Sequence, residues 1–137
     1  MEKIPVRKVS KKTVITVGPN DGVLEAARLM REKDVGSVVV VRGGKPVGIL
    51  TDRDITVRVV ADGRDGGATR VEDVMTGGVI TATEDIRAAE LVKLIDDYGI
   101  RRIPIVDADG MLTGIITLDD ILRIVGINVG FKVSISS

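Results

Sequence analysis

The stretch that decides the fold is Gly48-Ile49-Leu50-Thr51-Asp52-Arg53-Asp54-Ile55, and it occurs again as Gly114-Ile115-Ile116-Thr117-Leu118-Asp119-Asp120-Ile121. In both copies an apolar segment ends at a threonine, and an aspartate follows three residues later. Apolar, β-branched segments favour strands, and Thr-x-x-Asp is a capping-box variant at the start of a helix. Each copy therefore predicts a strand that leads directly into a helix.

Both copies lie within a longer internal repeat. A shift of 65 residues places Val14-Ile15-Thr16 on Val79-Ile80-Thr81, and after one inserted residue a shift of 66 aligns the two stretches quoted above. Self-similarity at a fixed spacing indicates repeated structural units. Two copies of one unit account for nearly the whole chain.

Each unit is predicted as a short β segment, a helix, two strands and a second helix, which makes an α+β (α/β-type) fold. In the first unit these elements are residues 14–17, a helix capped by Asn20 or Asp21, strands 38–41 and 46–50 around a turn at 42–45, and a helix from 51 to about 60. In the second unit they are residues 79–82, a helix from about 85 to 98, strands 102–106 and 112–117 around an Asp-Gly hairpin turn at 107–110, and a helix from 118.

The predicted boundaries are residues 6–63 for the first repeat, 64–70 for a Gly-rich linker, 71–125 for the second repeat and 126–137 for a tail. Residues 70–75 are predicted as a short helical lead-in to the second repeat. Residues 131–135 alternate apolar and polar side chains, which favours an extra edge strand.

The composition excludes several kinds of chemistry. The 137 residues include no His, no Cys and no Trp, with one Phe and one Tyr. Ser-His-Asp and Cys-His catalysis, Cys/His zinc sites and disulfides are therefore excluded. Adjacent acids such as Asp119 and Asp120 would point about 100° apart on a helix, not at one reacting bond. We expect no enzyme, no catalytic residue and no metal site, and a magnesium ion would arrive with the phosphates of ATP.

The charge balance argues against nucleic acids and membranes. Twenty basic and twenty acidic residues give no net charge, whereas nucleic-acid surfaces normally carry an excess of Lys and Arg. The basic lead-in before residue 13 is more typical of a solvated face. No apolar run approaches the roughly 20 residues that span a bilayer, and no secretory signal is recognisable. We expect a cytoplasmic protein.

The repeated motifs resemble those of a tandem pair of CBS domains, also called a Bateman module. Further matching features are Asp73-Val74-Met75 before Val79-Ile80-Thr81, and Gly99-Ile100-Arg101-Arg102-Ile103-Pro104-Ile105-Val106-Asp107. The resemblance implies two repeats packed with pseudo-twofold symmetry, and two clefts that bind adenosine-containing ligands: AMP, ADP, ATP, S-adenosylmethionine or NAD. It also implies a stand-alone regulatory module that forms a homodimer and acts on a protein target that the sequence does not identify. The alternatives are a ligand-free assembly module and, with less support, an RNA- or DNA-binding protein.

The resemblance also assigns residues to each cleft, which would join the Thr-x-x-Asp motif of one repeat to the strands of the other. The first cleft would contain Thr51, Arg53, Asp54, Thr81, Ile100, Arg101, Arg102, Ile103 and Pro104. The second cleft would contain Thr117, Asp120, Thr16, Val35, Gly36, Ser37 and Val38. Adenine would lie against aliphatic side chains, so no aromatic residue is needed.

Two interpretations of Thr-x-x-Asp stay open at this point. The motif can cap a helix, or its threonine can receive a phosphate while its carboxylate accepts the ribose hydroxyls. The arginines favour the first cleft as the nucleotide site, with Asp54 on the ribose and Arg101 and Arg102 at the phosphate. In the second cleft Val39 occupies the position that corresponds to Pro104.

Overall fold

The computed structural model describes Ser10 and residues 13–124. The first unit contains β1 (Thr16–Val17), α1 (Val23–Lys33), β2 (Ser37–Arg42), β3 (Lys45–Thr51) and α2 (Asp52–Ile55), which continues into a π-helical turn (Thr56–Val60). The second unit contains α3 (Val71–Val74), β4 (Ala82–Thr83), α4 (Ala88–Tyr98), β5 (Arg102–Val106), β6 (Leu112–Thr117) and α5 (Leu118–Ile124).

The two units have the same sheet topology. Each sheet has three strands in sequence order, with the first strand parallel to the second and the second antiparallel to the third. Val17 is paired with Val40 in one sheet, and Ala82 is paired with Ile105 in the other. These pairs are related by the 65-residue shift, so the structure confirms the α+β fold and the internal repeat.

Strand alternation divides each sheet into two faces, because successive side chains point to opposite sides. On one face, Val38, Val40 and Leu50 are buried in the core of the first unit. Ile103 and Ile116 occupy the same places in the core of the second unit. The residues that alternate with them along the strands, such as Ser37 before Val38 and Arg102 before Ile103, are on the opposite face.

The short helix α3 packs on the first unit although it follows the linker. Val71 and Val74 are fully buried in the first core. The Val71 amide donates to the Asp21 carbonyl over 2.8 Å, and Ile49 and Thr76 exchange two backbone hydrogen bonds of 3.0 and 2.9 Å. The chain therefore returns to the first unit before it forms the second sheet.

Several predicted element ends differ from the structure. The N-cap of α1 is Gly22, without a side-chain hydrogen bond, because the Asp21 carboxylate accepts from the Gly18 amide over 2.8 Å instead. The helix after Thr51 begins where expected, but Thr56–Val60 is π-helical. The first strand of each sheet has only two residues, and α4 begins at Ala88. The predicted tail strand lies outside the described residues.

Within the described residues, we find no helix that is both long enough and apolar enough to cross a membrane.

Candidate ligand-binding clefts

A pocket of about 230 Å³ lies between the two units, and we call it the Thr117 pocket. Both units contribute to its lining, which consists of Thr13, Val14, Ile15, Val35, Gly36, Ser37, Val39, Arg102, Ile115 and Thr117. Its wall is mostly aliphatic. The threonine that ends β6 therefore faces the loops and strands of the other repeat.

Strand geometry explains why these residues meet. Ser37 and Val39 are two residues apart on β2, as are Ile115 and Thr117 on β6, so each pair shares a sheet face. Arg102 is the cross-strand partner of Thr117, and such partners point to the same side of the sheet. The face opposite each hydrophobic core thus supplies the strand residues of the pocket wall, whereas Ile15 also packs against the first core.

Thr117 is held by Asp120 at the start of α5. The Asp120 carboxylate accepts from the Thr117 amide and from the Thr117 hydroxyl, each over 3.0 Å. The Asp120 amide donates to the Thr117 oxygen over 3.2 Å, and Arg123 lies 3.4 Å from the other carboxylate oxygen. Asp120 is buried, so this network fixes the threonine at the pocket edge.

The first Thr-x-x-Asp motif has the same capping geometry. The Asp54 amide donates to the Thr51 hydroxyl oxygen, and the Thr51 amide donates to the Asp54 carboxylate, each over 3.0 Å. The Thr76 hydroxyl lies 3.4 Å from the second Asp54 oxygen. Capping is therefore observed in both copies, and a ligand would have to add to these hydrogen bonds or displace them.

Arg102 lies in the Thr117 pocket, whereas the sequence assigned it to the first cleft. The antiparallel register explains its position, because Arg102 is directly opposite Thr117. Its side chain is half-buried and, within the described part of the chain, has no hydrogen bond or ion pair. Arg53 and Arg101 are exposed. The second cleft thus contains a cation that sequence reasoning did not place there.

The predicted second-cleft residues are only partly brought together. Val35, Gly36, Ser37 and Thr117 line the pocket. Thr16 instead lines a separate open depression beside α1, and the side chain of Val38 points into the first core. Sequence reasoning missed Thr13, Val14, Ile15, Val39 and Ile115. Every second residue of a strand lies on the same face. Applied to the strands that contain Ser37 and Thr117, this rule would have identified Val39 and Ile115.

Residues of the predicted first cleft are placed as follows. Thr51 is the cross-strand partner of Ser37, which lies at the edge of the Thr117 pocket. Thr81 is exposed, Pro104 is buried, and Ile100 and Ile103 belong to the second hydrophobic cluster. The side chain of Ile103 is therefore unavailable to a ligand in this arrangement.

Comparisons with known proteins agree with this arrangement. The CBS domain family matches residues 6–61 and 71–127. Protein MK0525 of Methanopyrus kandleri is 43% identical over 90% of this chain and 64% of its own length. The CBS domain-containing protein YhcV of Bacillus subtilis is 42% identical over 79% of this chain and 76% of its own length. The chain thus spans under two thirds of the first relative and about three quarters of the second.

A solved structure with the same fold contains adenosine compounds. The CBS domain pair of protein MJ0100, in complex with methylthioadenosine and S-adenosylmethionine, superposes with a TM-score of 0.79 and 31% sequence identity. The match covers 91% of this chain and 98% of that one. The repeated sheets, the cleft between them and these matches lead to one conclusion: the chain belongs to the CBS-domain family and contains two CBS domains in tandem.

Proposed function

We propose that this protein is a non-catalytic regulatory module that binds adenine nucleotides of the AMP, ADP or ATP type between its two CBS domains. The observation that carries the proposal is the Thr117 pocket, which both domains line. The MJ0100 complex supports an adenosine-containing ligand. We place adenine against the aliphatic wall formed by Ile15, Val39 and Ile115, and the sugar near Thr117.

Binding in this pocket would couple the ligand to domain geometry. A ligand that contacts Val35 and Ser37 on one side and Ile115 and Thr117 on the other favours the arrangement in which all contacts form together. A ligand shifts a conformational equilibrium by its difference in affinity for the two states. We propose that a partner protein binds the two conformations with different affinity, so that the module acts as a sensor of the ligand.

Isothermal titration calorimetry of the whole chain with AMP, ATP and S-adenosylmethionine tests the proposal. We expect heat with at least one of these compounds. Val35→Trp should weaken binding by at least about tenfold, because the new ring would fill the mouth of a small pocket. Leu24→Trp is the matched control, since Leu24 is a similarly exposed apolar residue outside this pocket.

The outcome also separates the alternatives. No heat with any of the three compounds would contradict nucleotide binding and favour the ligand-free assembly module. If the binding heat is unchanged in Val35→Trp but lost in Asp54→Ala, the ligand binds in the first cleft, which is the nucleotide site predicted from the sequence.

We further propose that the chain forms a homodimer through apolar helix surface. Val60 is 69% exposed and Val57 is 45% exposed, on the π-helical turn. We expect Val60→Glu to convert the dimer to a monomer in light scattering coupled to size-exclusion chromatography, because a charge placed in an apolar interface must be desolvated. Leu24→Glu is the control and should stay dimeric. A monomeric wild type, or a Val60→Glu variant that stays dimeric, would contradict this interface.

A further inference from the structure

We propose that a contact between the tips of the two β-hairpins positions the walls of the Thr117 pocket, so that residues outside the pocket control its affinity for a ligand. We call this contact the hairpin clasp. It consists of Gly44 and Lys45 in the first CBS domain and of Gly110, Met111 and Leu112 in the second. The inference rests on the proposed function, because the affinity in question is that of the same pocket.

The clasp contains a backbone hydrogen bond that joins the two domains. The Leu112 amide donates to the Gly44 carbonyl over 2.9 Å. The 66-residue shift relates Leu112 to Pro46, and each follows its hairpin turn as the cross-strand partner of a valine. Proline has no N–H group, so the reciprocal hydrogen bond cannot form. The backbone connection at this point therefore depends on the Leu112 amide.

Side chains pack reciprocally around this hydrogen bond. Gly44 and Gly110 are equivalent turn residues with φ angles of +81° and +82°. A Cβ atom at Gly44 would overlap the Met111 Cε atom and lie 3.1 Å from its sulfur, and one at Gly110 would lie 3.9 Å from the Lys45 side chain. Each glycine thus faces the side chain that follows the other glycine. The Met111 amide also donates to the Asp107 carboxylate over 3.0 Å, which fixes the backbone that carries the thioether.

The same two hairpins carry the clasp at their tips and the pocket at their other ends. In the first hairpin, β2 supplies Ser37 and Val39 to the pocket wall, and in the second, β6 begins at Leu112 and supplies Ile115 and Thr117. The strands of each hairpin are paired from the pocket end to the turn. A change of angle at the clasp would therefore move one pocket wall relative to the other. Walls that are held in place before binding reduce the cost of ordering them when a ligand binds.

Gly44→Ala opens the clasp, and Gly43→Ala is its matched control. The two residues are neighbours with positive φ angles of +81° and +59°, so alanine is strained in the backbone at both positions. At Gly43 a Cβ atom meets nothing within 4 Å, whereas at Gly44 it displaces Met111. Adding Met111→Ala to Gly44→Ala removes the displaced side chain and should allow the clasp to close again.

The first measurement reports the domain arrangement without a ligand. The chain contains no cysteine, so spin labels can be attached at Lys33→Cys and Tyr98→Cys. Both positions are exposed, end α1 and α4, and are related by the 65-residue shift. Double electron–electron resonance, with excess unlabelled protein to dilute pairs between chains, gives the distance between the labels. We expect one narrow distribution for the wild type and Gly43→Ala, a broader or shifted one for Gly44→Ala, and recovery in the Gly44→Ala, Met111→Ala double variant.

The second measurement is calorimetry of the unlabelled proteins with AMP. An observed affinity falls with the fraction of molecules in the arrangement that binds. We expect Gly44→Ala to weaken AMP binding at least about fivefold, and Gly43→Ala and the double variant to stay within about twofold of the wild type. A substitution that only lowered overall stability would not be corrected by removing a second side chain.

The results separate this inference from the proposed function. If no adenosine compound binds the wild type, the proposed function fails, and the distance measurement alone decides whether the clasp positions the two walls. An unchanged distance distribution in Gly44→Ala overturns the inference. So does a broader distribution with unchanged AMP affinity, or a double variant that does not recover, and in both of these cases nucleotide binding stands.

A second pair of variants serves if Gly44→Ala does not fold. Leu112→Pro removes the N–H group that binds the Gly44 carbonyl and introduces the residue that the first domain carries at the equivalent position, Pro46. Leu112→Ala is the control, because it shortens the side chain but keeps the N–H group. Weaker AMP binding and a broader distance distribution in Leu112→Pro than in Leu112→Ala support the clasp, and equal behaviour of the two variants overturns it.

Discussion

Gly48→Val should lower the free energy of unfolding by about 3 kcal/mol, because the new side chain enters a packed site. A Cβ atom at Gly48 would lie 2.5 Å from the Met75 sulfur and 3.0 Å from the Thr76 carbonyl oxygen. The Met75 side chain can move, but the Thr76 backbone is fixed by its two hydrogen bonds to Ile49. Urea unfolding followed by circular dichroism measures the change.

Gly77→Val is the matched control for that variant. A Cβ atom at Gly77 meets nothing within 4 Å, so the same substitution should change the free energy of unfolding by less than about 0.5 kcal/mol. Equal midpoints for Gly48→Val and the wild type would mean that β3 does not pack closely on the segment after α3. The close approach of the Thr76 carbonyl also explains why position 48 holds a glycine.

The sequence predicts the sheets well because their signals are local. The β-branched run before residue 42 and the apolar runs ending at Thr51 and Thr117 define strands without reference to the rest of the chain. Because the internal repeat relates the two halves, a strand predicted in one half also predicts the equivalent strand in the other. The observed pairs Val17–Val40 and Ala82–Ile105 confirm the 65-residue shift.

Element ends are harder to predict, since several local hydrogen bonds compete for each polar side chain. Asp21 is a favourable N-cap residue, yet its carboxylate binds the Gly18 amide and leaves Gly22 as the cap. The π-helical turn after Ile55 has no signature that a 3.6-residue periodicity would reveal. These differences arise from energies of only about 1 kcal/mol.

The clefts are predicted only in part, because their composition depends on packing between distant segments. Thr117 and the segment Val35-Gly36-Ser37 were identified from the motifs, and the structure brings them together. Val38 and Ile103 were assigned from motif positions, but strand alternation directs their side chains into the cores. Arg102 was assigned to the other cleft, since the pairing with Thr117 is known only once the register is fixed.

Asp120→Ala should lower the free energy of unfolding by about 2 kcal/mol. The substitution removes the acceptor of the Thr117 amide at the start of α5, and losing a helix cap costs about 1 kcal/mol. It also removes a buried carboxylate that binds the Thr117 hydroxyl and pairs with Arg123, and unpaired buried groups cost about 1–3 kcal/mol. Thermal unfolding and urea titration measure the loss.

The variant Asp119→Ala distinguishes the contribution of the Asp120 hydrogen bonds from that of a negative charge at the start of α5. Both aspartates lie in the first turn of α5, where an acid interacts favourably with the helix N-terminus, but Asp119 is exposed. Its removal should therefore cost less than about 0.5 kcal/mol. If both variants lose the same stability, the contribution of Asp120 is electrostatic and Thr117 is not held by it. If Asp120→Ala alone is destabilised, Thr117 depends on that carboxylate for its place at the pocket edge, and nucleotide affinity should fall with it.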